Sequence, residues 1–324
     1  MKIKYSLLLL LQILVPQMIH SQVEIIHNVY NRNSFSLNGE WHYIIDPYEN
    51  GYFNYRYQPF DTFDNPGKGA FFTDAKPDNK SDLVEYNFDK SDIINIPGDW
   101  NSQDEKLLYY EGTIWYKKSF DYKKQRKTNK IFIYFDAVNY QADVYFNGKK
   151  IGIHIGGFTP FNFEITDLIK DKDNFLIVKV DNKRKKEAVP TLNTDWWNYG
   201  GITRDVRIIE TPQNFIQDYF VQLDKENSKI VKGFVKLKGN EISNNEVEIR
   251  IPDLGINKKF KTDKKGVVEF NFETTNVNYW SPENPTLYNV ELKTSEDQVN
   301  DLIGFRSIKT EGTSILLNDK KIFL

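Results

Sequence analysis

The sequence predicts an all-β protein built as two sandwiches in tandem. Short apolar runs alternate with polar residues at period two, helical periodicity is nearly absent, and aromatic residues make up 15% of the 324 residues. Such a share favours strands or a sugar-handling surface, and the length suits about two domains. The remaining composition, 40% hydrophobic and 27% charged, is that of a soluble globular chain, and a net charge of −2 gives no electrostatic case for nucleic acid. The basic clusters 123–127 and 183–186 therefore read as solvated loops.

Before the first strand, Lys2 and Lys4 precede an apolar run over 7–15, and a polar stretch ends at Ser21. This pattern predicts a secretory signal peptide over 1–21, cleavage after Ser21 and a periplasmic or secreted product. The run is too short to span a bilayer comfortably, and no later apolar run reaches about 18 residues, so no membrane span is expected. With no cysteine in the chain, disulfides, thiolate metal sites and cysteine nucleophiles are excluded.

The first module, 22–212, reads as short strands separated by turns. The stretches 131–135 and 142–146 are strand-like, and the second runs into Asn147-Gly148, the pair that best tolerates the positive φ values of a two-residue hairpin turn. Strand resumes at 149–154 and again at 174–180, and 203–210 closes the module before Thr211-Pro212. Between 46 and 92 the composition turns to Asn, Asp, Gly, Pro and Lys mixed with Tyr and Phe, which predicts a long irregular insertion, either a functional rim or a poorly ordered excursion. The second module, 213–310, alternates at Val231/Val235, Val247/Ile249/Ile251, Val268/Phe270/Phe272 and Tyr288/Val290/Leu292, with turns spaced as in an immunoglobulin-like sandwich. It concentrates no catalytic residue types.

Chemistry concentrates in 195–206. Asp195, Trp196, Trp197, Asn198 and Tyr199 precede Gly200-Gly201, and this mixture suits a sugar: aromatic faces cover the C–H side of a pyranose while carboxylate and amide take its hydroxyls. The same residues would also suit a sandwich core with a plain glycine turn, and on their own they leave both readings open.

Other landmarks decide between them. In order come Leu37-Asn38-Gly39-Glu40-Trp41, Ile96-Pro97-Gly98-Asp99-Trp100-Asn101, Glu111-Gly112-Thr113-Ile114-Trp115-Tyr116, Val144-Tyr145-Phe146-Asn147-Gly148, Gly156-Gly157-Phe158-Thr159-Pro160-Phe161, Val180-Asp181-Asn182 and the 195–206 segment. Together they resemble the N-terminal half of glycoside hydrolase family 2, the β-galactosidase, β-glucuronidase and β-mannosidase group. The resemblance implies a jelly-roll, galactose-binding-like sandwich, then an immunoglobulin-like one, with 311–324 as the lead-in to a (β/α)₈ barrel. It also implies that the acid and nucleophile of the retaining reaction both belong to that barrel, so no catalytic residue is assigned in this chain.

By the same resemblance Asp195 hydrogen-bonds the terminal sugar, Trp196 and Trp197 stack on sugar or wedge domains together, and Asn198 orients the loop. Thr113 stands where several relatives carry an Asn facing substrate. The Asn198-Tyr199 spelling leans toward β-glucuronidase-like members. Arg204 with Asp205 reads as a structural ion pair. The expected function is the non-catalytic N-terminal part of a family 2 exo-β-glycosidase of polysaccharide degradation; the alternative is a free-standing carbohydrate-binding or assembly module. Expected partners are a β-linked oligosaccharide and either a separately encoded barrel or a second copy meeting the 315–324 end. No cofactor is expected, and the four scattered histidines suggest no metal site. Neither a phosphate loop nor a nucleophilic serine elbow is present.

Overall fold

The computed structural model describes residues 24–79, 81 and 86–323; the expected signal peptide, 1–21, lies outside them. Among the described residues ten strands build the first sandwich: β1 (Ser34–Ser36), β2 (Gly39–Ile45), β3 (Ile93–Ile96), β4 (Thr113–Phe120), β5 (Lys130–Phe135), β6 (Gln141–Phe146), β7 (Lys149–Ile155), β8 (Phe161–Glu164), β9 (Asn174–Asp181) and β10 (Val206–Thr211). A six-stranded sheet, β3-β2-β4-β9-β6-β7, faces a four-stranded sheet, β1-β10-β5-β8, with every pairing antiparallel. Alternation sets the core. Ile114 and Tyr116 of β4, Ala142, Val144 and Phe146 of β6, and Leu176, Val178 and Val180 of β9 point inward onto Ile131, Ile133 and Phe135 of β5. The turn between β6 and β7 takes positive φ at both Asn147 (49°) and Gly148 (79°), as their sequence implies.

The other face of the six-stranded sheet is covered too, by the 46–92 insertion. Three short 3₁₀ turns, Phe60–Thr62, Phe71–Thr73 and Phe88–Lys90, punctuate it. Phe71, Phe72 and Phe88 are buried against Ile44, Trp115, Tyr145 and Ile177, and Phe72 stacks on Tyr145 at 4.4 Å. The strands send charges into this layer. Lys117 pairs with Asp74 at 2.6 Å and Asp89 at 3.0 Å, Lys150 with Asp61 at 2.6 Å, and Lys179, 4% exposed, with Glu49 at 2.8 Å. Tyr52 of the insertion lays its ring 4.3 Å from the Lys179 ammonium. Asp46 accepts the Trp115 indole N–H at 2.9 Å together with the backbone N–H groups of Asn50 and Gly51. The described part of the insertion is thus a layer on the sheet, held by aromatic burial and charge pairing.

The second sandwich packs β11 (Phe215–Leu223), β12 (Ile230–Lys238) and β15 (Val267–Glu273) against β14 (Ile256–Lys261), β13 (Glu246–Ile251), β16 (Tyr288–Lys293) and β17 (Gln298–Ile303). Val231, Val235, Val247, Ile249, Val290, Leu292 and Phe305 are fully buried in its core. A meander follows: β18 (Ile308–Glu311), β19 (Ser314–Leu317) and β20 (Lys320–Ile322). In it Ile308 and Phe323 are exposed, and Asn318 bonds the Trp280 carbonyl and the Ser307 N–H. A strap over 24–32 joins the sandwiches. Ile26 and Val29 are buried with Phe132, Tyr134, Ile209 and Phe215, and Arg32 makes a two-pronged pair with Asp297 at 3.0 and 2.9 Å.

Burial pushes the Glu49 carboxyl up, but the hydrogen bond and charge of Lys179, helped by Lys183, outweigh it and hold it below the ordinary glutamate value. A carboxylate depressed in the folded state stabilises above its unfolded pKa, and that contribution disappears as pH falls through the folded value. Thermal unfolding between pH 3 and 7 should therefore show Glu49→Gln less stable at pH 7 by about 2 kcal/mol, a figure discounted for partial solvent access, with a shallower loss below about pH 4.5. An unchanged acid limb in the variant would remove Glu49 from the account.

Candidate functional site

The site is a loop pinned from beneath. β9 ends at Asp181, and Asn182, buried beside it, donates from its side chain to the Asn198 carbonyl at 3.0 Å while Asn198 donates back to the Asn182 carbonyl at 2.5 Å. The Asn182 side-chain oxygen also accepts the Gly112 N–H at 2.8 Å, tying this clasp to the start of β4. Gly200 comes next. Its N–H donates to the Asn101 side chain and its carbonyl accepts the Trp100 N–H, both at 2.9 Å. A Cβ there would stand 2.1 Å from the Trp100 indole, which is fully buried, so only glycine fits. Gly201 adopts φ +130° and exchanges backbone hydrogen bonds with Asn139, closing the loop on the far side.

Arg184 stiffens the outer half. Its guanidinium donates to Glu111 at 2.9 Å, to the Thr194 carbonyl at 3.0 Å and hydroxyl at 2.9 Å, and to the Trp196 carbonyl at 3.0 Å. What remains at the surface is one carboxylate and a tier of rings. Trp197 sits between Tyr109 at 5.2 Å and Tyr199 at 6.1 Å, and Trp196 projects with 78% of its surface exposed. Asp195, Glu111, Arg184, Trp196 and Trp197 border a cleft of about 240 Å³. Complete small-ligand pockets run to ~300–1,000 Å³. Among the described residues, no hydrogen bond or ion pair engages the Asp195 carboxylate.

The residues expected from sequence separate here. Asp195, Trp196, Trp197 and Asn198 all border the cleft, but Asn198 is largely buried and its amide nitrogen is committed to the clasp. Thr113 is corrected: it is fully buried under the insertion, its hydroxyl donates to Glu49 at 3.3 Å, and it offers nothing to a ligand. The sequence reading passed over Glu111, which stands two residues earlier, before the strand begins, and borders the cleft. Tyr109 and Arg184 were also missed. The Tyr109-Tyr110-Glu111 cluster was a visible signal, but Arg184 was hidden in a basic run that read as solvent-facing. The Arg204–Asp205 pair is corrected as well: Asp205 pairs with Arg207 at 2.8 Å and takes the Asn38 amide, while Arg204 is exposed.

Residues 35–212 match the model of the sugar-binding domain of glycosyl hydrolases family 2, and 214–306 match a second glycosyl hydrolases family 2 model. A β-glucuronidase of Bacteroides fragilis is 38% identical over 127 residues, covering 38% of this chain and 18% of that enzyme. A β-galactosidase of Thermoanaerobacter pseudethanolicus is 29% identical over 252 residues, 71% of this chain and 33% of that enzyme. The solved β-glucuronidase of Bifidobacterium dentium, in complex with a coumarin glucuronide, superposes with a TM-score of 0.72 at 21% identity, over 90% of this chain and 50% of that one. That likeness speaks to the fold. The chain spans less than half the length of these curated relatives.

Gly200→Ala should force the loop off Trp100 at a cost of about 1–3 kcal/mol. Chemical unfolding would show that loss, and Trp196/Trp197 fluorescence would shift as the ring tier moves. Wild-type stability and emission together would mean the loop is not seated on Trp100.

Proposed function

The chain belongs to glycosyl hydrolase family 2, and we propose that its 324 residues form the non-catalytic, sugar-contacting N-terminal part of a retaining exo-β-glycosidase of β-glucuronidase or β-galactosidase type. The enzyme it serves is exported and trims β-linked oligosaccharides during polysaccharide breakdown. One observation carries this reading: the Asp195 carboxylate, free of partners among the described residues, stands at the lip of a cleft on a loop that the Asn182–Asn198 clasp and the Gly200 N–H hold from beneath. A carboxylate so placed accepts hydrogen bonds from adjacent sugar hydroxyls, and each charge-assisted bond contributes about 1.5–3 kcal/mol. Trp197, between Tyr109 and Tyr199, supplies the flat apolar surface for the C–H face of the ring.

A retaining glycosidase needs an acid and a nucleophile about 5 Å apart on either side of the glycosidic bond. The family resemblance places both on a barrel, so the work left to these residues is to hold and orient the terminal sugar. The size of the cleft agrees with a site completed by a second surface, and Trp196 is the ring best exposed to meet that surface. Export is supported by Lys2, Lys4 and the apolar run that follows them.

Calorimetric titration with the monosaccharides glucuronic acid and galactose should give a dissociation constant on the order of millimolar, roughly −4 kcal/mol. Asp195→Ala should weaken it at least tenfold; an unchanged affinity would return Asp195 to a structural role. The polypeptide itself should release no aglycone from aryl β-glucuronides or β-galactosides. Turnover that persists at constant specific activity through successive purifications would overturn the non-catalytic assignment.

A further inference from the structure

The 46–92 insertion carries a second aromatic cleft that the Asp195 loop does not use. Its volume is about 510 Å³, and Phe53, Tyr55, Phe60 and Phe63 line it with the amides of Asn50 and Asn65. Tyr55 is 84% exposed and Phe63 is also open to solvent. Phe60 is packed against the buried cluster beneath the insertion and Phe53 against Tyr52, but Tyr55 and Phe63 stand exposed beside them, and exposed rings grouped in a concavity mark a place where something binds. Among the described residues no charged side chain lines the cleft, and Arg56 lies over the Tyr55 ring at 5.1 Å. Among the described residues the Asn50 and Asn65 side chains make no hydrogen bond, which leaves two amides with donors and acceptors open to a ligand.

The cleft is built rather than incidental. On one side Phe53 bridges Pro59, and the Asn54 side-chain oxygen accepts the N–H groups of Arg56 at 2.8 Å and Gln58 at 3.1 Å, which fixes the hairpin tip that carries Tyr55. On the other, Phe60 and Phe63 flank Asp61, whose carboxylate is buried and held by Lys150 at 2.6 Å and the Tyr145 hydroxyl at 2.9 Å. One wall is therefore closed on itself and the other anchored to the six-stranded sheet beneath, so little ordering is needed on binding.

From these features we propose that this cleft is a second carbohydrate-contact site, one that takes an uncharged pyranose segment of a β-linked oligosaccharide. Rings alone would suit any apolar ligand; rings with unpartnered neutral amides and no charge select the alternating C–H faces and hydroxyls of a neutral sugar. The volume lies within the ordinary range for small-ligand pockets and is over twice that of the Asp195 cleft. One ion pair links the insertion to the segment that leads into the Asp195 loop. Glu49, next to Asn50, pairs with Lys183 at 3.3 Å, and Lys183 precedes the Arg184 that organises the Asp195 loop.

The site stands independently of the Asp195 reading, and the test keeps them apart. Tetrasaccharides of β-1,4-linked glucose, galactose and xylose are titrated against the 324-residue polypeptide by calorimetry and saturation-transfer NMR, alongside Asp195→Ala and the double variant Tyr55→Ala/Phe63→Ala. Both replaced rings are exposed, so the double variant should keep the wild-type melting temperature. At least one tetrasaccharide should bind wild type and Asp195→Ala alike in the cleft and lose tenfold or more in affinity with the double variant. Binding of none of the three, equal affinity for wild type and a folded double variant, or a double variant whose only change is loss of self-association in sedimentation would each overturn the proposal.

Discussion

The structure turns on an ammonium group in the middle of a sheet. β9 alternates, and after Leu176, Val178 and Val180 have gone to the core, Lys179 must face the other way, where it is almost wholly buried. An unpaired charge in that position would be untenable. Glu49 therefore has to reach it, which obliges the insertion to fold down over the sheet, and Tyr52 comes with it. The same carboxylate takes the Thr113 hydroxyl and the Lys183 ammonium. Charge neutrality at one strand position thus sets the path of the insertion, the burial of Thr113 and the approach to the loop that carries Asp195.

That loop shows a division of labour between groups that hold and groups that face outward. Asn182, Asn198, Asn101 and Arg184 spend their hydrogen bonds on the backbone of the loop or its immediate neighbours, and Gly200 lets the chain lie directly on an indole. The exposed remainder is a carboxylate and flat rings. A surface fixed in this way pays little conformational entropy when a sugar arrives, which matters most for a shallow site that covers only part of its ligand.

Much of this was legible in the sequence because strand alternation and turn chemistry are local. Asn147-Gly148 dictates its hairpin whatever surrounds it, and the paired glycines after Tyr199 announce a close backbone approach. What escaped depended on the third dimension. Period-two alternation says that Thr113, Lys117 and Lys179 face away from the core, but it does not say that a segment from 46 to 92 will cover them. A polar residue beside a sugar motif then looks like a ligand contact when it is a buried partner of Glu49. The ion pair at Asp205 followed the same rule: Arg204 is adjacent in sequence and points away, while Arg207, two residues further along, lies on the same side and also reaches Asp136 at 2.7 Å.

The strap over 24–32 determines how the two sandwiches can act together. Ile26 and Val29 fill a small apolar cluster with residues of β5, β10 and β11, the Ile26 N–H is taken by Asn162 of the first sandwich, and Arg32 is held by Asp297 of the second. Asp297 in turn accepts the Ile216 N–H at 2.8 Å, so the ion pair is braced by backbone at the first strand of that sandwich. A junction made only of a linker would let the modules swing, whereas one closed by buried side chains and a two-pronged ion pair fixes their angle. Any surface that completes the Asp195 cleft then meets the first module, with the second held beside it through the strap.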